Sequence, residues 1–180
     1  MSGDPRKPRT QVGQAGGEGS SRGKPVTISR AVLEEIYAHA RRAFPAECCG
    51  FLVGPRDGEA VSRARPCVNA QTSGEHPTAS ERGAETAYVI AGDDLLALAR
   101  SFDGPEPARV IYHSHPNGRA YFSSTDTEVA LGPWGDGPVY PVQQLVVGLT
   151  GDGIVEAKLF DWDETHGAFV EIERFGGDLE

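Results

Sequence analysis

The chain contains few cysteines and no long run of apolar residues. Three of its 180 residues are cysteines, with Cys48 and Cys49 adjacent, and this number does not provide a disulfide framework. No stretch approaches the roughly 18 apolar residues of a transmembrane helix, and the polar N-terminus lacks the apolar core of a secretory signal peptide. We therefore expect a cytoplasmic protein in which Cys48 and Cys49 are small buried residues.

Basic residues are scarce outside the N-terminal segment. Residues 1–30 carry six Lys or Arg and two Asp or Glu, whereas the remaining residues carry 11 and 24. So acidic a body argues against nucleic acid as the main partner. The Gly-, Ser- and Pro-rich residues 1–25 cannot bury enough apolar surface to order themselves, and we predict that they form a disordered basic tail.

Apolar content and periodicity predict one mixed α/β domain over residues 26–177. At 180 residues with 38% hydrophobic content, the chain can enclose one sizeable core but not two. Helical spacing predicts a helix from an N-cap at Ser29 to about Phe44, where Pro45 would end it, and a second helix capped by Asp93 or Asp94. Strands are predicted at 49–53, 59–68, 109–113, 143–148, 154–160 and 168–175, and a long surface loop at 71–86.

Two histidines one residue apart are the first candidate metal ligands. His113 and His115 follow Val110, Ile111 and Tyr112, whose β-branched and aromatic side chains favour an extended chain. Because alternate side chains of a strand share a face, both imidazoles would point to one side and could reach the same metal ion. Taken alone the pair is weak evidence, since two polar side chains on a strand also fit a solvent-exposed face.

Ser123 and Asp126 stand three residues apart before a short predicted helix. Ser-x-x-Asp is a capping-box pattern, which has a purely structural interpretation. That interpretation is compatible with a functional one, because a capped helix start is a rigid place for both a metal ligand and a hydroxyl group. Two imidazoles and one carboxylate suit zinc, and three protein ligands leave a fourth position for water, as in catalytic sites.

The spacing of these residues resembles the JAMM (MPN+) zinc metalloprotease motif, His-x-His-x7-Ser-x2-Asp. Seven residues separate His115 from Ser123, and two more precede Asp126. The family also has a glutamate on an early strand, and the segment Pro-Ala-Glu-Cys-Cys-Gly-Phe-Leu-Val-Gly around Glu47 is similar to it. The resemblance covers about residues 28–175 and implies a cytidine-deaminase-like α/β (mixed) fold, with one mixed curved sheet flanked by helices.

The resemblance implies a zinc centre and two catalytic residues. One zinc ion per chain would be held by His113, His115 and Asp126. Glu47 would take a proton from water and pass it to the departing amine. Ser123 would donate a hydrogen bond to the oxyanion that develops during amide cleavage.

The resemblance also implies an activity and a substrate class. The protein would be a hydrolase that cuts the bond after the C-terminal Gly-Gly of a ubiquitin-fold protein. Two substrates stay open: the short single-domain form favours release of cysteine from a sulfur-carrier adduct over removal of a ubiquitin-like modifier from lysine. An alternative of another class is a non-catalytic MPN binding scaffold, but scaffold versions lack one or more ligands. Bacterial members often have proline where Phe122 stands, a difference expected to affect loop shape and substrate fit. We expect no nucleic-acid or membrane partner, and a homodimer stays open.

Overall fold

The protein is described by a computed structural model over residues 23–71, 88–135 and 137–178. In chain order the elements are α1 (Arg30–Ala43), β1 (Cys49–Val53), β2 (Arg63–Cys67), α2 (Gly92–Ser101), β3 (Ala108–His115), α3 (Ser124–Leu131), a 3₁₀ turn (Gly132–Trp134), β4 (Gln143–Thr150), β5 (Gly153–Asp163) and β6 (Ala168–Gly176). These strands form one sheet in the order β2-β1-β3-β4-β5-β6. Only the β3–β4 pair among them is parallel. The predicted mixed α/β fold with a single mixed sheet is confirmed.

Helix α1 forms where the apolar periodicity places it. The Ser29 side chain accepts a hydrogen bond from the Val32 N–H, which satisfies one of the free donors at the helix start. The apolar stripe of the helix is buried, as expected for an amphipathic helix packed on a sheet; it comprises Val32, Leu33, Ile36, Tyr37 and Ala40. The helix ends at Ala43, just before Phe44 and Pro45, as predicted.

Two apolar layers cover the two faces of the sheet. Helix α1 packs on one face, against side chains that include Val110, Tyr112 and Leu145. Residues of α2 pack on the opposite face, in a cluster that includes Leu98 and Ile111. Since β3 side chains alternate between faces, His113 and His115 lie on the same side as Ile111, away from α1.

The second strand and the cap of the second helix differ from their predictions. The second strand is shorter than 59–68, because Ala60 forms an isolated parallel bridge with Thr27 and regular pairing with β1 begins only at Arg63. The N-cap of α2 is Ala91, not Asp93 or Asp94, which lie in the first turn. The Asp94 carboxylate instead accepts a hydrogen bond from the Val68 N–H. Asp94 thus binds the chain just after β2 and does not cap its own helix.

Residues 1–22 of the predicted tail and residues 72–86 of the predicted loop lie outside the described residues. Within the described part, Gln143 donates a hydrogen bond to the Lys24 carbonyl, and the Lys24 ammonium pairs with Glu59. Lys24, within the segment 1–25 predicted to be a tail, therefore contacts the domain. No helix among the described residues is long and apolar enough to cross a membrane.

Candidate metal centre

Strand β3 brings the two motif histidines together. The strand continues through His115, beyond the predicted end at His113, so both imidazoles project from the same face. Their Nε2 atoms lie 3.2 Å apart, and neither residue is more than 5% exposed. Two nitrogen atoms of a buried histidine pair therefore face a common point.

The third member of the cluster is positioned by the start of α3. The Ser123 hydroxyl accepts a hydrogen bond from the Asp126 N–H, and the Asp126 carboxylate accepts one from the Ser123 N–H at 2.7 Å. This reciprocal capping box fixes the rotamer of the aspartate. Its Oδ1 lies 3.3 Å from His113 Nε2 and its Oδ2 lies 3.5 Å from His115 Nε2. The capping interpretation of the Ser-x-x-Asp pattern is thus compatible with a ligand role, as expected.

Burial and the attraction between opposite charges shift the pKa values of the cluster in opposite directions. Burial alone would raise the pKa of Asp126, but the two imidazoles and the Ser123 side chain hold that pKa well below its ordinary value. Burial lowers the pKa of His113. For His115 the effect of burial is outweighed by the Asp126 carboxylate, which raises its pKa. A neutral His113 and an ionised Asp126 are the protonation states that a metal ion requires of its ligands.

The donor set fits a metal ion such as zinc. One ligand atom from each of His113, His115 and Asp126 can be chosen so that all lie within 4.8 Å of one another. Two imidazole nitrogens and one carboxylate oxygen are typical ligands of catalytic zinc. An ionised carboxylate is costly to bury without a cationic partner, and a divalent cation at the shared point would compensate it.

Strand pairing carries Glu47 to the same face as the histidines. Cys49 pairs with His113 in the antiparallel β1–β3 register. One residue earlier, the Ser114 N–H donates to the Cys48 carbonyl and the Ser114 hydroxyl accepts from the Cys48 N–H at 2.8 Å. Continuing this register places Glu47 opposite His115, since directly opposed residues share a face. Glu47 is 5% exposed, and its charge contributes to the raised pKa of His115.

Two groups that contact the histidine rings, Tyr88 and the Arg119 carbonyl, were not predicted, because no sequence pattern points to them. The Tyr88 ring stacks on the His113 imidazole, with ring centroids 4.5 Å apart and planes inclined by 20°. The His115 Nδ1 lies 3.2 Å from the Arg119 carbonyl oxygen. The Nδ1 of His113, in contrast, is buried without a hydrogen-bond partner among the described residues. Packing therefore fixes the ring of His113, whereas a backbone hydrogen bond fixes that of His115.

Cys48 and Cys49 are buried, as predicted, and so is Cys67. All three are free thiols inside the apolar layers, and burial raises the pKa of both Cys48 and Cys67 to about 12. Burial likewise raises the pKa of Cys49, which lies on the face of the histidines. Thiols held in the neutral form are poor metal ligands and poor nucleophiles.

An apolar cavity of about 220 Å³ lies beside the histidines on the same sheet face. Its walls come from α2, α3, β3 and β4 and, among the described residues, include Tyr88, Leu98, Ile111, Val129 and Gln144. The side-chain oxygen of Gln144 is buried there without a hydrogen-bond partner in the described part of the chain. The cavity thus offers space for an apolar group together with one acceptor for an N–H donor.

Comparison with known families finds one match that spans this site. The family described as prokaryotic homologs of the JAB domain matches residues 29–159. This range includes Glu47, both histidines, Ser123 and Asp126.

Three curated relatives bear names of cleaving enzymes. The chain is 36% identical over 110 residues to the CysO-cysteine peptidase of Mycobacterium tuberculosis, which covers 60% of this chain and 68% of that protein. It is 29% identical over 153 residues to the desampylase of Haloferax volcanii, covering 82% of this chain and 96% of the relative. It is 34% identical over 122 residues to a probable TtuB-protein conjugate cleaving protease of Thermus thermophilus, covering 66% of this chain and 72% of the relative.

The fold also resembles a solved structure, that of protein DSY2949 from Desulfitobacterium hafniense. The two share 26% sequence identity with a TM-score of 0.57, over 81% of this chain and 88% of the other.

Proposed function

The chain belongs to the prokaryotic homologs of the JAB domain, and we propose that it is a zinc-dependent hydrolase that cleaves an amide or isopeptide bond after the C-terminal Gly-Gly of a ubiquitin-fold protein. One observation carries the proposal: His113, His115 and Asp126 converge within 4.8 Å on a buried face of the sheet. A second buried carboxylate, that of Glu47, supports the proposal, because the β1–β3 register continued by two residues brings it to the face of His115.

In this proposal three residues would hold the metal, and two others carry out proton transfer and charge stabilisation. His113, His115 and Asp126 would hold one zinc ion, which would supply Lewis acidity and lower the pKa of water towards about 7. Glu47 accepts a proton from the attacking water and delivers it to the leaving amine. Burial on a largely apolar face keeps competing solvent away from this carboxylate.

Ser123 is proposed to stabilise the oxyanion of the tetrahedral intermediate. Its oxygen accepts the Asp126 N–H at 3.1 Å, which holds the oxygen in place while the hydroxyl group keeps a hydrogen of its own as a donor. A donor held in place before reaction needs no reorganisation when the oxyanion forms, and this is the main source of its effect.

The favoured substrate is a sulfur-carrier protein that ends in a cysteinyl adduct. The similarity to a protein named CysO-cysteine peptidase supports this choice. The relative named as a conjugate cleaving protease supports the other choice, removal of a ubiquitin-like modifier from a lysine. Both reactions break an amide bond after Gly-Gly and can use the same five residues, so the metal centre alone does not distinguish them.

Intact mass spectrometry of matched adducts tests both the reaction and its substrate. Zinc-loaded protein should trim a sulfur-carrier protein by one C-terminal cysteine, and it should cut a lysine-linked modifier more slowly. Glu47→Gln should retain zinc and lose about a hundredfold or more in turnover, because the proton acceptor is gone while the ligands stay. Near-native turnover in Glu47→Gln, or cleavage of unfolded peptides with both Gly-Gly adducts untouched, would contradict the proposal.

A further inference from the structure

A cross-sheet row of three residues begins at His115. The parallel β3–β4 register pairs His115 with Gly148, and the antiparallel β4–β5 register pairs Gly148 with Glu156. Residues paired across neighbouring strands share a face of the sheet. Glu156 therefore lies on the face of the metal cluster, two strands away from His115, with a glycine between them.

The loop after β3 folds back over that glycine. The Gly118 N–H donates to the Leu149 carbonyl at 2.9 Å, which ties the loop to β4. A Cβ atom added at Gly148 would lie 2.7 Å from both the backbone N and the backbone C of Arg119. The backbone at Arg119 thus occupies the space that a side chain at position 148 would take, between His115 and Glu156.

A single peptide group of this loop contacts both neighbours. The Arg119 carbonyl oxygen lies 3.2 Å from His115 Nδ1, and the Ala120 N–H donates to Glu156 Oε1 at 2.9 Å. These are the C=O and N–H of the same peptide bond, which is planar and polarised along that direction. Since a carbonyl oxygen only accepts, His115 Nδ1 carries the hydrogen and its Nε2 is directed to the cluster.

The far end of this chain of contacts is anchored on β5. Lys158 Nζ lies 3.3 Å from Glu156 Oε2, leaving Oε1 for the Ala120 N–H. Burial alone would raise the pKa of Glu156, but the Ala120 N–H and Lys158 lower it. The carboxylate is therefore ionised in the neutral pH range and fixed in orientation.

We propose that Glu156 is a positioning residue for the metal ligand His115, acting through the Arg119–Ala120 peptide group. Its negative charge polarises this peptide, which makes the Arg119 carbonyl a stronger acceptor for the His115 N–H. Groups that accept from the second nitrogen of a ligating histidine fix its tautomer and raise its basicity. The inference rests on the proposed function, since it takes His115 as a zinc ligand.

Zinc affinity, measured by competition with a chelator, tests this role without relying on turnover. Glu156→Ala should weaken zinc binding by about 10-fold, the low end of the range for partners that contact the histidine directly, because the Arg119 carbonyl itself remains. Glu156→Gln keeps an acceptor for the Ala120 N–H but loses the charge, so it should fall between wild type and Glu156→Ala. The matched control is Glu171→Gln, which removes another carboxylate near Lys158 and should leave zinc affinity unchanged.

Nuclear magnetic resonance of the metal-free protein provides a second readout. In Glu156→Ala the Ala120 amide should exchange faster, and the His115 Nδ1 proton should lose its slow exchange, while amides of β4 stay protected. Unchanged zinc affinity together with an unchanged His115 Nδ1 proton in a folded Glu156→Ala variant would overturn the inference. If wild-type protein fails to bind zinc, the proposed function fails, and the His115 Nδ1 proton still decides whether Glu156 orients the ring.

Discussion

At the scale of single residues, the two motif histidines lie on the same face of β3 but have different surroundings. His113 is held by the stacked Tyr88 ring, and His115 by the Arg119 carbonyl. Burial raises the pKa of Tyr88 well above its ordinary value, and the nearby Asp126 adds to this effect. The tyrosine is therefore a neutral neighbour that adds no charge to the cluster.

The ligand assignment predicts the metal content of a single variant. Wild-type protein should contain about one zinc per chain, and His115→Ala should lose that stoichiometry because two protein ligands remain. The control is His166→Ala, which removes a histidine that contacts Asp163 in the turn before β6 and should keep its zinc. Elemental analysis measures the zinc content of each variant, and full zinc occupancy in His115→Ala would contradict the assignment of His115 as a ligand.

Ser123 is expected to serve both as a helix cap and as an oxyanion donor. Ser123→Ala should reduce the free energy of unfolding by about 1 kcal/mol through the lost cap. It should also raise the activation barrier by about 2.7–4 kcal/mol if the hydroxyl acts as an oxyanion donor. Denaturant unfolding and turnover measure the two effects separately.

Ser29→Ala is the matched control for Ser123→Ala, because Ser29 caps α1 through the Val32 N–H. It should lose a comparable amount of stability with turnover unchanged. Equal turnover losses in the two variants would mean that Ser123 acts through capping alone.

At the scale of elements, the approach of the loop after β3 to β4 depends on the absence of a side chain at Gly148. Gly148→Ala should destabilise the protein by about 1–3 kcal/mol, since the added methyl meets rigid backbone of Arg119. It should also weaken zinc binding, because moving this backbone displaces the carbonyl that orients His115. Thermal unfolding and chelator competition measure the two effects.

The matched control is Gly151→Ala in the β4–β5 turn. There an added Cβ would lie 3.8 Å from the Phe44 ring, an ordinary contact. We expect a change in stability within about 0.5 kcal/mol and unchanged zinc affinity. A Gly148→Ala variant as stable as Gly151→Ala would show that the loop has room to move.

At the scale of the whole molecule, the proposed domain boundary predicts a difference between two truncations. Deleting residues 1–22 should leave the melting temperature and turnover nearly unchanged, because this segment holds little apolar surface. Deleting residues 1–26 should cost about 1.5–3 kcal/mol or more, because it also removes the buried Val26 side chain. The longer deletion also removes the Val26 N–H that donates to Gln143. A large loss of turnover on the shorter deletion would reveal a functional role for the N-terminal segment.

The amino-acid sequence alone was sufficient for what depends on local spacing. Alternation along β3 placed His113 and His115 on one face, and the Ser-x-x-Asp spacing predicted the capping box that orients Asp126. These features involve residues within a few positions of one another, so strand and helix geometry determine them. The misplaced cap of α2 shows the limit of this reasoning, because Asp94 contacts Val68, 26 residues away in the chain.

The tertiary structure decided what depends on strand order and register. Glu47 comes to the face of His115 because β1 pairs with β3, and Glu156 reaches the loop because β4 and β5 extend the sheet on the other side. No periodic pattern in the sequence links these partners, because they lie far apart in the chain and come together only when the sheet assembles. Local geometry thus determined the identity of the proposed metal ligands, and long-range pairing of strands determined which residues surround and orient them.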